Sequence, residues 1–175
     1  AEAMVSALLD DSAPASWLRA IVDESGGHPL FLRELVRHAQ SGVERNHDSA
    51  LTLDDALRAR VHALDESART VLELVSLCEN PVGPHVIARA LDDTRRAVQG
   101  QRATAASSSA SDVHEALALL TAQRLVRRRG GGDVMCFHDR LRQVVANAIP
   151  GEQVAALSEL LATALAAEPD ASPAQ

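Results

Sequence analysis

The stretch Arg124-Leu125-Val126-Arg127-Arg128-Arg129-Gly130-Gly131-Gly132-Asp133-Val134-Met135-Cys136-Phe137-His138-Asp139 decides the fold. Two short runs, Arg124 to Arg129 and Val134 to Phe137, flank a triple glycine. β-capable runs around a glycine turn predict a hairpin. On either side of it, apolar residues recur at helical rather than alternating spacing. Just upstream, Val113, Leu117 and Leu120 fall on one helical face, with Asp112 placed to cap the helix that ends at Arg124. Gln99 to Ser111 is rich in Ala and Ser and predicts a mobile loop. Pro84 to Leu91 predicts a short helix, with another turn or two from Asp92. Asn80-Pro81 and Gly83-Pro84 bracket a turn before it. Asp65 is expected to cap a helix from Glu66 to Cys78. That helix is apolar on most sides (Val71, Leu72, Leu74, Val75, Leu77) and therefore central. Between Leu64 and Phe137 the order is helix, helix, helix, hairpin, which is the order of a winged helix.

Further from the hairpin the chain is mostly helical. Leu53, Leu57, Val61 and Leu64 stack along one helix. Ser16 to Ser25 predicts another, with Trp17, Leu18, Ile21 and Val22 on one face. Gly26-Gly27 ends it and Pro29 begins the next, as backbone sterics favour. The Pro29 helix carries Phe31, Leu32, Leu35, Val36 and Ala39. Gly42 to Ser49 is polar and predicts a loop. Downstream, Asp139 is expected to cap a helix with Leu141, Val144, Val145 and Ala148 on one face. Pro150-Gly151 breaks it, and Glu152 to Ala167 forms a last helix before the tail Pro169 to Gln175. The expected fold class is mainly α: a helical lid-like subdomain (1–48), a winged-helix domain with one small β-hairpin (49–150), then C-terminal helix and tail (151–175).

Composition narrows the chemistry. Nearly half of the 175 residues are apolar, but aromatics are 2 % and Tyr is absent, so the core must be Leu, Val and Ala. The net charge is −7. An acidic balance argues against a general nucleic-acid binder. All 17 basic residues are Arg. Lysine nucleophiles, Schiff bases and the phosphate loop ending in Gly-Lys-Ser/Thr are thereby excluded from these residues. Cys78 and Cys136 sit among apolar neighbours and read as buried thiols. No stretch approaches the roughly 18 apolar residues of a membrane span. The start, Ala1-Glu2-Ala3-Met4, lacks a secretory pattern and reads as a cut into a longer chain. A cytoplasmic location is expected.

No nucleophile-elbow motif is present. The seven histidines have neither His-Glu-x-x-His nor Cys-x-x-Cys company, so no metal site is expected. The third winged-helix helix would face DNA with Asp112, His114, Glu115 and Gln123, and carboxylates repel phosphate. The wing is basic: Arg124, Arg127, Arg128 and Arg129, then Arg140 and Arg142. That patch could meet phosphates, form a solvated face, or dock an acidic domain. Ser25-Gly26-Gly27-His28-Pro29-Leu30-Phe31-Leu32 is a tight helix-to-helix turn. Phe137-His138-Asp139 lies between a strand and a helix start, where backbone N–H groups and the helix dipole favour an anion. His138 there is either a solvent-facing neighbour of the cap or a donor to a phosphate oxygen.

Together these segments resemble the middle of a STAND-type ATPase. This regulatory branch of the AAA+ fold occurs in bacterial transcription regulators and in kinase-fused ATPase modules. Gly27-His28-Pro29 with Leu30-Phe31-Leu32-Arg33-Glu34-Leu35 is similar to the Gly-x-Pro motif of that family's helical lid. Leu53 to Leu77 resembles the start of its winged helix, with Arg60, Leu64 and Arg69-Thr70-Val71-Leu72 in the usual cadence. Phe137-His138-Asp139 is similar to its closing His-Asp motif.

The resemblance spans Ala15 to Ala167. It implies that Gly27 and Pro29 lie by the adenine or ribose and that His138 approaches the diphosphate in the resting state. It implies ATP or ADP with magnesium in the full-length protein, although none would be held by these residues alone. It also implies an upstream nucleotide-binding domain, downstream helical repeats and a kinase or other output domain as partners. The expected function is a nucleotide-gated regulatory piece, not an enzyme by itself. The alternatives are a winged-helix DNA-binding module or a protein-interaction module.

Overall fold

The computed structural model describes residues 15–40, 52–99 and 106–167. The chain divides into two units, Ala1–Ala63 and Leu64–Gln175. The helix at Leu53 thus falls with the first unit, and the last helix falls with the second. Among the described residues the structure is mainly helical, with one small antiparallel hairpin.

The first unit holds α1 (Ala15–Ser25), α2 (Pro29–Gln40) and α3 (Leu53–His62). Helix α2 packs against both α1 and α3. Ile21, Phe31, Leu32, Leu35, Val36, Leu53 and Leu57 are buried in its core. Thr52 caps α3, its hydroxyl accepting from Asp55 N, while the Leu53 N–H donates to Glu24 Oε1 at 2.9 Å. Two orphan donors at one helix start are thereby satisfied from two directions. Glu34 and Arg60 form a buried ion pair between α2 and α3, their side chains 4 % and 9 % exposed.

The second unit begins with α4 (Glu66–Leu77), capped by Asp65, whose carboxylate accepts from Ala68 N at 2.8 Å. Val71, Leu72, Leu74 and Val75 are fully buried, as a helix apolar on most sides requires. Then come α5 (Pro84–Gln99), α6 (Ala106–Ala122), β1 (Val126–Arg128), β2 (Val134–Cys136), α7 (Asp139–Ala148) and α8 (Gly151–Ala166). Helix α4 packs on α6, α7 and β2, and α5 packs on α6 and α8. The hairpin register pairs Val126 with Cys136 and Arg128 with Val134.

Three expectations are corrected here. Pro84 begins one continuous 16-residue helix rather than a short one. The Ala/Ser run is not a loop throughout: α6 starts at Ala106, and Asp112 lies inside it rather than capping it. Ala is the best helix former, so the run needs only one buried face, and Val113, Ala116, Leu117 and Leu120 supply it. The turn before α5 also does more than reverse the chain. Val82 exchanges two hydrogen bonds of 2.9 Å with Val134, adding a one-residue third strand to the hairpin. A single paired residue has no alternation, so it leaves no periodic trace in the sequence. Residues 100–105 of the expected loop 99–111, the loop 42–49 and the tail 169–175 lie outside the described residues.

Candidate functional site

Gly27 and Pro29 belong to the first unit and His138 to the second; each is built locally. At the end of α1, Gly26 and Gly27 have φ of +56° and +74°. L side chains avoid this left-handed region, so glycine is required there. Ser25 Oγ accepts from Gly27 N at 3.1 Å and donates to Val22 O at 2.9 Å. His28 N donates to Ser25 O. Pro29 then occupies the first position of α2, where its missing N–H is no loss. The His28 ring lies 4.7 Å from that of Phe31. The result is a hydrogen-bonded corner with Pro29 exposed at the start of α2.

His138 is itself the cap of α7. Its Nδ1 accepts from Arg140 N at 3.2 Å, and its backbone is extended. Asp139 is the first helical residue, not the cap, which corrects the expectation. An imidazole whose Nδ1 accepts a hydrogen bond carries its proton on Nε2 when neutral. A neutral His138 therefore carries its N–H on Nε2, at a helix N-terminus where the dipole favours anions.

Arg124 has φ of +58° and closes α6. Its N–H donates to Thr121 O, and the next N–H, of Leu125, donates to Leu120 O. These are the paired bonds of a Schellman motif, with buried Leu120 and Leu125 in its hydrophobic contact. Arg124 stands where glycine is usual. The hairpin turn Gly130–Gly132 follows, with Gly131 at φ +84°. Arg124, Arg128, Arg129 and Arg140 are exposed, and Arg127 and Arg142 are half-buried. Arg129 Nε donates to Met135 Sδ at 3.2 Å, holding one wing arginine along the hairpin.

The outer face of α6 carries the opposite sign. Asp112, Glu115 and the cap residue Asp65 line an open groove of about 860 Å³ between the start of α4 and α6. Ala116, Ala118, Leu119 and Ala122 supply its apolar part. Among the described residues, every charged residue lining it is a carboxylate. The carboxylates of α6 were legible in the sequence; their meeting with Asp65 across a groove was not.

Burial pushes the Cys136 thiol up to about 12 and raises that of Cys78. Neither is a reactive thiolate. Burial likewise raises Glu73, with Arg69 opposing, and Gln153 on α8 donates to its carboxylate at 3.2 Å. Among the described residues no group of three or more His, Cys, Asp or Glu is placed to hold a metal. No helix among them is long and apolar enough to cross a membrane. No protein-family model, curated protein or solved structure matches the chain.

Proposed function

We propose that the chain is the regulatory lid and winged helix of a STAND-like, nucleotide-gated ATPase, and that it carries no catalysis of its own. The observation that carries this reading is His138. A capping bond to Nδ1 fixes the imidazole and puts its proton on Nε2, beside the N-terminus of α7. Such a group suits a diphosphate oxygen, and a hydrogen bond to a charged partner contributes roughly 1.5–3 kcal/mol. The hydrogen-bonded Gly27-His28-Pro29 corner suits the edge of a nucleoside. The phosphate loop and magnesium ligands would come from a segment outside these 175 residues, because no lysine is present. In the intact protein, His138→Ala is expected to release ADP faster and raise basal output. Unchanged ADP retention and unchanged output would remove the assignment.

The arginine wing favours a second reading, a DNA-binding winged helix. Against it stand Asp112 and Glu115 on the helix that would enter the groove of DNA. Duplex binding that weakens steeply with salt would support it, and no binding at low salt would end it.

A further inference from the structure

The acidic groove and the arginine wing have no part in the nucleotide reading. We propose that they are the two halves of a self-association surface, in which the wing of one copy enters the groove of a second copy of this chain. Charge is the first argument. Asp65, Asp112 and Glu115 rim the groove, and they are its charged lining among the described residues. Arg124, Arg128 and Arg129 stand exposed on and beside the hairpin.

Apolar surface is the second. Leu119 in the groove is 38 % exposed, one of two large hydrophobic side chains so exposed among the described residues. Arginine stems cover such surface while their heads stay with carboxylates and water.

Geometry is the third. The hairpin is pinned by its own ladder and by the Val82–Val134 pair, so the wing is fixed in place within its unit. A reciprocal contact, wing to groove and groove to wing, closes as a two-fold dimer.

The contact is electrostatic and rim-like, so it should be salt-sensitive. The net charge of −7 repels copies as wholes, so association at low salt requires local complementarity. This proposal does not depend on the role given to His138.

The test is sedimentation of the 175-residue chain over a concentration series. At low salt the chain is expected to shift toward dimer as concentration rises. Raising salt to about 1 M, where the screening length is roughly 3 Å, is expected to return it to monomer. Asp112→Arg with Glu115→Arg makes groove and wing both basic. Arg128→Glu with Arg129→Glu makes both acidic. Each double variant is expected to weaken association about tenfold or more. Mixed one to one, the two variants present a basic groove to an acidic wing and the reverse, so a mixed dimer should return. Circular dichroism of each variant checks that it is folded. A monomer at every concentration in low salt overturns the proposal. So does a dimer that survives both charge reversals, or a mixture of folded variants that stays monomeric.

Discussion

Arg124 and Cys136 show how much a single residue's setting can decide. Arg124 closes α6 at φ +58°, a position that costs a side-chain-bearing residue roughly 1–2 kcal/mol. Glycine relieves that strain but gives back about 0.5–1 kcal/mol through the freer unfolded chain. Arg124→Gly is therefore expected to stabilise the second unit by about 0.5 kcal/mol, read as a higher urea midpoint at constant slope. A loss of stability would mean that the arginine head makes a contact stronger than the strain. Self-association through the wing should weaken in the same variant, because one of its cations is gone.

Cys136 governs behaviour at high pH. The chain has no Lys and no Tyr, so few groups besides its two thiols titrate between pH 9 and 12. The native Cys136 thiol keeps its proton up to about 12, while the unfolded one loses it near 9.0. The native state thus binds more protons across that window, and stability falls as pH rises through it. Below about pH 9 the contribution is fully present. Cys136→Val is expected to flatten the decline, seen by comparing urea midpoints at pH 8 and pH 11. An identical decline in both proteins would place its origin elsewhere.

At the scale of elements, ends matter more than middles. Helix α4 was readable in full, because a capping Asp65 and a nearly all-round apolar run state both its start and its burial. The hairpin was readable too, because a triple glycine between β-capable runs leaves few alternatives. Helix α6 begins within the Ala/Ser run, where composition points to a loop. Low complexity resembles disorder when its apolar partners lie far along the chain, and propensity alone does not decide.

Helix α7 carries the element-scale prediction, since its cap is also the proposed nucleotide donor. His138→Ala removes the Nδ1 acceptor and is expected to lower stability by about 1 kcal/mol. His138→Asn restores a capping oxygen and should recover most of that stability. It should not recover ADP retention in the intact protein, because its amide does not reproduce the Nε2 donor. Thermal melts and ADP release measured side by side separate the two roles. Full recovery of both by Asn would show that His138 serves the fold alone.

For the whole molecule, two units mean two cores. In the first unit the buried Glu34–Arg60 pair joins α2 to α3. Burial lowers the Arg60 pKa, and the Glu34 carboxylate opposes that loss of charge. Glu34→Ala leaves a desolvated guanidinium and is expected to destabilise the first unit by about 3 kcal/mol or more. Hydrogen exchange should rise in Pro29–Gln40 and Leu53–His62. Equal protection in the variant would show that solvent or another group takes over the pairing.

The sequence by itself determined the order of the helices, the hairpin and most apolar faces, though not the length of α5 or the start of α6. Those follow from local periodicity, capping chemistry and backbone sterics, which act over a few residues. It also excluded lysine chemistry by simple absence. Tertiary structure alone decided which unit each helix joins and which residue caps α7. It also decided that Val82 pairs with Val134 and that Asp65 meets Asp112 and Glu115 across a groove. Those are juxtapositions of residues distant in sequence, or choices between adjacent donors and acceptors, and no local pattern encodes them.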